Sequence, residues 1–167
     1  MATDRYNTRG MPIVVGLISD THGQLRASAM RALEGVELIL HAGDVGNRDV
    51  LIELNALAPV HAVAGNVDDI HTPELEAHRW LSLEGWRVHV SHGHELGRPT
   101  PEGLLRRYPD ASIVVFGHTH RALVHRADGK LVVNPGAAGP RRFDVVPSVA
   151  RLTLAPGVAD VEIIEID

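Results

Sequence analysis

The sequence predicts an α/β fold in which two mixed β-sheets pack together with helices outside. Two observations carry that prediction. In the first half, strand-like apolar runs alternate with helix-like segments, the pattern of parallel strands joined by right-handed crossovers. In the second half, apolar runs flank short turn sequences, as hairpins do. Parallel units followed by hairpins require two sheets that share a core.

The elements follow in order. Ile13-Val14-Val15-Gly16-Leu17-Ile18 is apolar on both faces, as a buried central strand is, and stops at Ser19-Asp20-Thr21-His22-Gly23. Residues 24–33 read as a helix, with Leu25, Ala29, Ala32 and Leu33 near helical spacing. A second strand over 36–41 leads into Ala42-Gly43-Asp44, and a second helix over 50–57 stops before Pro59. A third strand over 60–64 ends in Gly65-Asn66. Strands over 79–83 and 87–90 flank Glu84-Gly85-Trp86 as a hairpin, and the second runs into Ser91-His92-Gly93-His94. Thr100 to Arg107 suits a helix with Pro101 in its first turn. Residues 113–116 form a strand before Gly117-His118-Thr119-His120. Two more hairpins turn at Asp128-Gly129 and at Pro156-Gly157.

Residues 11–167 are read as one domain, and residues 1–10 as a mobile polar tail that lacks the apolar core of a secretory signal. The sequence holds no run of ~18 apolar residues of the kind that spans a membrane. With no cysteine, disulfides and thiolate metal sites are excluded, and a cytoplasmic protein is expected. The net charge of −5 and scattered basic residues argue against nucleic acid as a partner. A small phosphorylated ligand remains compatible, and the late hairpin edges leave a homo-oligomer open. Histidine is the anomaly: 11 residues in a chain without Cys favour nitrogen and oxygen coordination of Mn, Fe, Co, Ni or Zn.

Five strand ends carry metal-ligand chemistry: Asp20 and His22, Asp44, Asn66, His92, and His118 with His120. Successive intervals of 24, 22, 26 and 26 residues each match one excursion out of a sheet and back. Ligands in open α/β sheets bind outside the carboxyl ends of strands, so the seven side chains are predicted to converge on one rim. Seven such donors exceed one tetrahedral ion and suit two metals that share a carboxylate, with Asp44 as the natural bridge. Two divalent ions, offset by two carboxylates and a bridging hydroxide, leave about one net positive charge to attract a phosphate ester. Each residue also has an ordinary reading: a helix-capping Asp20, a turn Asp44, a left-handed turn Asn66, and surface imidazoles.

Together, Asp20-Thr21-His22-Gly23, Gly43-Asp44, Gly65-Asn66-Val67-Asp68, His92-Gly93-His94 and Gly117-His118-Thr119-His120 resemble the calcineurin-like metallophosphoesterase superfamily. The short length, Asn134-Pro135-Gly136 and the Asp-Thr-His-Gly form are most similar to its small bacterial and archaeal phosphodiesterases. The retromer metallophosphoesterase-like subunit is a relative in fold. The resemblance implies a four-layer αββα sandwich. It also implies two divalent ions, Mn first, with Ni, Fe, Zn or Co also suited. Asp20, His22, Asp44 and His120 would hold the first ion, and Asp44, Asn66, His92 and His118 the second. A metal-bridging hydroxide would attack phosphorus in line, with a small phosphodiester as substrate. The alternative is a non-catalytic protein-binding scaffold of the same fold.

One position departs from the family pattern. Many members place a histidine after the Gly-Asn pair, to contact phosphate or protonate the leaving group; here Val67 stands there, followed by Asp68. Val67 has no proton to give. His94 becomes the candidate acid, on the reading that the strand continues past His92 and aims both side chains alike. Asn66 and Arg141 are the candidate substrate contacts, and Asn134 is a candidate brace for the His118 loop.

Overall fold

The computed structural model describes residues 4–6, 11–142 and 144–167. One six-stranded sheet has the order β12-β11-β2-β3-β4-β5. Its strands are β2 (Ile13–Ile18), β3 (Leu38–His41), β4 (Val60–Val63), β5 (Leu75–Glu76), β11 (Ser148–Ala155) and β12 (Val158–Glu165). The second has the order β1-β6-β7-β8-β10-β9. Its strands are β1 (Asp4–Tyr6), β6 (His78–Leu83), β7 (Trp86–Ser91), β8 (Ile113–Val115), β9 (Leu123–Ala127) and β10 (Lys130–Asn134). β2 through β5 run parallel, as do β7, β8 and β10, and the hairpins add antiparallel strands to both sheets.

Alternation along each strand builds the layers. Ile13, Val15 and Leu17 of β2 and Leu38 and Leu40 of β3 face Leu81, Val88, Val90, Ile113 and Val115 of the other sheet. The opposite faces of β2 and β3, through Ile18 and Ile39, pack on α1 (Ala27–Ala32) and α2 (Arg48–Asn55). Val114 and Val132 turn outward against Leu104 and Tyr108 at α3 (Pro101–Arg107). The result is helix, sheet, sheet, helix, the predicted four-layer sandwich. Asn47 caps α2 by accepting from the Asp49 amide at 3.0 Å, and Thr100 caps α3 by accepting from Gly103 at 3.1 Å. Among the described residues no helix is long and apolar enough to cross a membrane.

Three differences from the sequence reading have physical causes. The first helix begins at Ala27, not at residue 24, because the chain from Ser19 to Arg26 is a tight loop in which Gln24 donates to the Thr21 carbonyl at 2.9 Å. Within the expected tail, Asp4–Tyr6 pairs parallel with β6, taking up backbone groups at that sheet's edge; the rest of the tail lies outside the described residues. Finally, β7 stops at Ser91. Gly93 turns into the left-handed region at φ 97°, and His94–Leu96 form a 3-10 turn, so His94 is not placed by continued strand alternation.

Candidate metal centre

All five chemistry-bearing strand ends lie at the carboxyl ends of parallel strands. β2, β3 and β4 deliver Asp20, His22, Asp44 and Asn66 from one sheet; β7 and β8 deliver His92, His118 and His120 from the other. Hydrogen bonds tie the loops into one rim. The Asp20, His22 and Gly23 amides donate to the Gly43, Asp44 and Val45 carbonyls at 3.0, 3.0 and 2.7 Å. Gly117 donates to the His92 carbonyl at 3.1 Å, and Gly139 to the Asp20 carbonyl at 3.1 Å.

One atom shows most directly what the rim is for. Asp20 is fully buried, and its two oxygens have different fates. Oδ2 accepts from the Ser19 hydroxyl at 2.6 Å and from the His118 amide at 3.1 Å. Oδ1 makes no hydrogen bond at all. It faces Nε2 of His120 at 3.1 Å, of His92 at 3.8 Å and of His22 at 3.9 Å. A buried carboxylate oxygen without a donor is costly in an ordinary interior and is accounted for by a cation.

The other donors point to the same space. His22 Nε2 and His120 Nε2 lie 3.4 Å apart. Asp44 Oδ2 is 3.6 Å from His22 Nε2 and 3.3 Å from His92 Nε2, between the two halves of the site. Its Oδ1 is occupied by the Val67 amide at 3.1 Å. Donor atoms of Asp20, His22, Asp44 and His120 all fall within 4.8 Å of one another, a group able to hold a metal ion. Beside it, Asn66 Oδ1 sits 3.1 Å from His92 Nε2 and 3.2 Å from His118 Nδ1.

The backbone is strained to achieve this. Asp20, His22, Asp44, His118 and His120 have φ of 53°, 47°, 52°, 69° and 61°. Among the described residues, the other non-glycine residues with positive φ are Glu84 and Asp128, the first residues of two-residue hairpin turns. Left-handed backbone costs about 1–2 kcal/mol per non-glycine residue and persists where surrounding contacts over-determine it, characteristically at functional sites. Asp20 does not cap the following helix, since α1 begins at Ala27 and Arg26 occupies its cap position. The left-handed backbone agrees with a turn at Asp44, while Asn66 is not left-handed.

A supporting shell orients the ligands. His92 Nδ1 donates to the Ala42 carbonyl at 2.7 Å, which leaves Nε2 with a free lone pair toward the site. His41 is fully buried and held neutral: burial pushes its imidazole down to about 4. The Gly43 amide donates to His41 Nδ1 at 3.2 Å, so His41 Nε2 donates to Thr21 at 3.0 Å and the Thr21 hydroxyl to the Val45 carbonyl at 2.9 Å. Asp68 accepts from the amides of Gly46, Val45 and Gly65 at 2.8, 3.0 and 2.9 Å, clamping the Asp44 and Asn66 loops together. Asn134 donates to the Gly117 carbonyl at 2.9 Å and to Thr119 at 3.0 Å, the bracing role expected of it. Ser19 and Asp68 had no role assigned from sequence, although Asp68 lies in the Gly65-Asn66-Val67-Asp68 segment; their partners, a neighbouring carboxylate and backbone amides, are set by tertiary contacts.

Electrostatics favour positive charge here. Burial pushes Asp44 up, but the His92 contact and the Val67 amide outweigh it and hold the carboxyl down to about 2. Burial likewise pushes His92 down, and Asp44 and Asp20 overcome it to raise the imidazole. His118 is lowered by burial and by His92. His94 reaches the rim by way of the 3-10 turn, its ring centroid 5.4 Å from His92 and 6.3 Å from His118. Val67 is 54% exposed at the edge. Arg141 is exposed, and its neighbour Arg142 shares a surface depression with His120.

Comparison with known proteins agrees with this geometry. The profile of the "Calcineurin-like phosphoesterase superfamily domain" matches residues 13–157. A "Probable metallophosphoesterase" of Methanothermobacter thermautotrophicus is 38% identical over 160 residues, covering 91% of this chain and 92% of its own. A phosphodiesterase of Methanocaldococcus jannaschii is 28% identical over 145 residues, covering 73% and 82%. Vacuolar Protein Sorting 29 from Cryptosporidium parvum shares the fold with a TM-score of 0.78 at 23% identity, covering 93% and 98%. Seven ligand-type residues gathered at one rim around an orphaned carboxylate oxygen, and a profile match over most of the chain, make this protein a member of the calcineurin-like phosphoesterase superfamily.

Proposed function

We propose that this protein is a metal-dependent phosphodiesterase with a dinuclear centre. The observation that carries the reading is the buried, donor-less Asp20 Oδ1 facing three imidazole nitrogens, with Asp44 Oδ2 between two ligand sets. Asp20, His22, Asp44 and His120 would hold one ion; Asp44, Asn66, His92 and His118 the other. Mn is the first candidate, and Ni, Fe, Zn and Co suit the same donors. When bound, such a pair supplies Lewis acidity at phosphorus and an activated water for in-line attack. The chain's own contribution is positioning: Ser19, Ala42 and Asp68 hold the ligands, and the neutral His and Asn donors preserve positive charge for a phosphate. His94 is the candidate contact for the leaving-group oxygen, in place of the histidine that Val67 replaces. Arg141, exposed, is the candidate substrate contact, and its neighbour Arg142 lines a depression beside His120. The name of the M. jannaschii relative supports the diester preference.

Protein reconstituted with Mn is expected to hydrolyse bis(p-nitrophenyl) phosphate. Asp44→Asn and His120→Ala should each reduce the rate by about 100-fold or more. Unchanged rates in both variants would refute the assignment. The likeness to Vacuolar Protein Sorting 29 favours one second reading, a scaffold of the same fold. Metal-loaded protein inert toward a broad phosphoester panel, yet binding a defined protein through this rim, would establish it.

A further inference from the structure

A cavity of about 310 Å³ opens directly beside the metal centre, and Asn66 lines both. Its other walls include Asp68, Ile70, His78, His94 and Glu95. Two features of these walls decide what the cavity can take.

The first is charge. Among the described residues none of the lining side chains is Lys or Arg, and two are carboxylates. Those carboxylates are fixed in place. Asp68 is held by three backbone amides. Glu95 accepts from the Tyr108 hydroxyl at 2.6 Å and from the Gly93 amide at 3.0 Å; burial pushes its carboxyl up, but hydrogen bonds, the Tyr108 hydroxyl's first, outweigh it and hold it below the ordinary value. The cation nearest in sequence, Arg79, turns away to the Ala62 and Glu74 carbonyls and to Glu76. A second phosphate on the substrate would meet two carboxylates here with no Lys or Arg to offset them, and like-charge repulsion would oppose it.

The second is surface chemistry. Ile70 presents an apolar side chain at 51% exposure, and the imidazoles of His78 and His94 add flat, polarizable faces. A wall of this kind suits a ring with a few hydrogen-bonding groups, and the volume is at the small end for ligand sites of about 300–1,000 Å³.

Resting on the phosphodiesterase reading, we infer that this cavity receives the leaving group of the ester and selects an uncharged, ring-bearing alcohol, of which a nucleoside is the size-matched example, over one carrying a further phosphate. In the hydrolysis, oxygen from water forms the new bond to phosphorus. The bond from phosphorus to the leaving oxygen breaks with its electron pair on that oxygen, and a proton from water ends on the released alcohol. His94, at the junction of cavity and metal centre, sits where that oxygen departs.

The test pairs kinetics with binding. Two methyl aryl phosphodiesters are compared at about pH 8, above the ordinary imidazole range. Their leaving phenols have matched acidity, one neutral and one bearing a carboxylate. The KM for the anionic leaving group should be higher by about tenfold or more, and Ile70→Lys should bring the ratio of the two KM values close to one. Equal KM values in the unmodified protein would overturn the inference. Independently, adenosine added to the zinc-loaded protein should shift the ring resonances of His78 and His94, and Ala77→Trp, which adds bulk at another residue of the cavity wall, should abolish those shifts. Shifts confined to residues elsewhere, or none, would likewise overturn it. Failure to hydrolyse any diester would instead overturn the phosphodiesterase reading, and the adenosine titration would still decide what the cavity binds.

Discussion

Asp20 divides its two carboxylate oxygens between the protein and the site. One oxygen is saturated by Ser19 and the His118 amide, and the other is left bare toward the imidazoles. Ser19 therefore aims the ligand without being one. Ser19→Ala is expected to weaken metal affinity by about 10- to 100-fold while the protein still folds, measured by competition against a chelator of known affinity. An affinity equal to that of the unmodified protein would show that the hydroxyl does not orient Asp20. That seven candidate ligands would meet at one rim was legible in the sequence, because strand ends at regular intervals carried Asp, Asn and His. The left-handed backbone of Asp20, His22, Asp44, His118 and His120 was not, because such a conformation in a non-glycine residue is imposed by tertiary contacts and has no compositional mark.

Among the elements, the strand-end loops and the hairpin turns use glycine for opposite reasons. A Cβ on Gly65 would lie 2.0 Å from Asp44 Oδ1 and 2.2 Å from the Asp44 amide nitrogen, so its absence permits close approach of two ligand loops. At Gly129 nothing lies within 4 Å of a Cβ, and only the φ of 73° demands glycine. Gly129→Ala is accordingly expected to cost about 1–2 kcal/mol of stability in denaturant titrations without affecting metal binding. Gly65→Ala is expected to displace Asp44 and abolish metal binding. Retained binding in Gly65→Ala would show that the loops can separate without loss of the site. The long strands and all three hairpins were legible from alternation and turn residues. β1 and β5 were not, since three- and two-residue edge strands hold too few positions to show a period. The His94 turn was hidden for a related reason: Gly93 could be read either as part of a strand or as its end, and its φ of 97° makes it the end.

Across the whole molecule, two buried imidazoles in different places respond to pH in the same sense. His89 of β7 is fully buried, stacked at 3.6 Å on Tyr108 at the end of α3, and neither ring nitrogen has a hydrogen-bond partner. Burial and the neighbouring His78 push its imidazole down to about 3, and burial holds His41 at about 4. Between these values and the ordinary imidazole value of about 6.5, the unfolded chain binds more protons than the folded one. Stability is therefore fully present above about pH 6.5 and falls as the pH drops toward 4. Denaturant midpoints of the metal-free protein should follow this course, and His89→Phe should flatten it; a midpoint independent of pH over that window would contradict the burial argument. The sandwich also explains why the site lies where it does: two sheets share one core, and the carboxyl ends of their parallel strands meet along one rim. The proposal that this rim holds two metal ions bridged by Asp44 is tested most directly by the stoichiometry of metal binding, from calorimetry with elemental analysis of the saturated protein. Two ions per chain are expected, and one in a protein carrying both Asn66→Ala and His118→Ala. Saturation of the unmodified protein at one ion, or a stoichiometry left unchanged by the double substitution, would contradict the proposal.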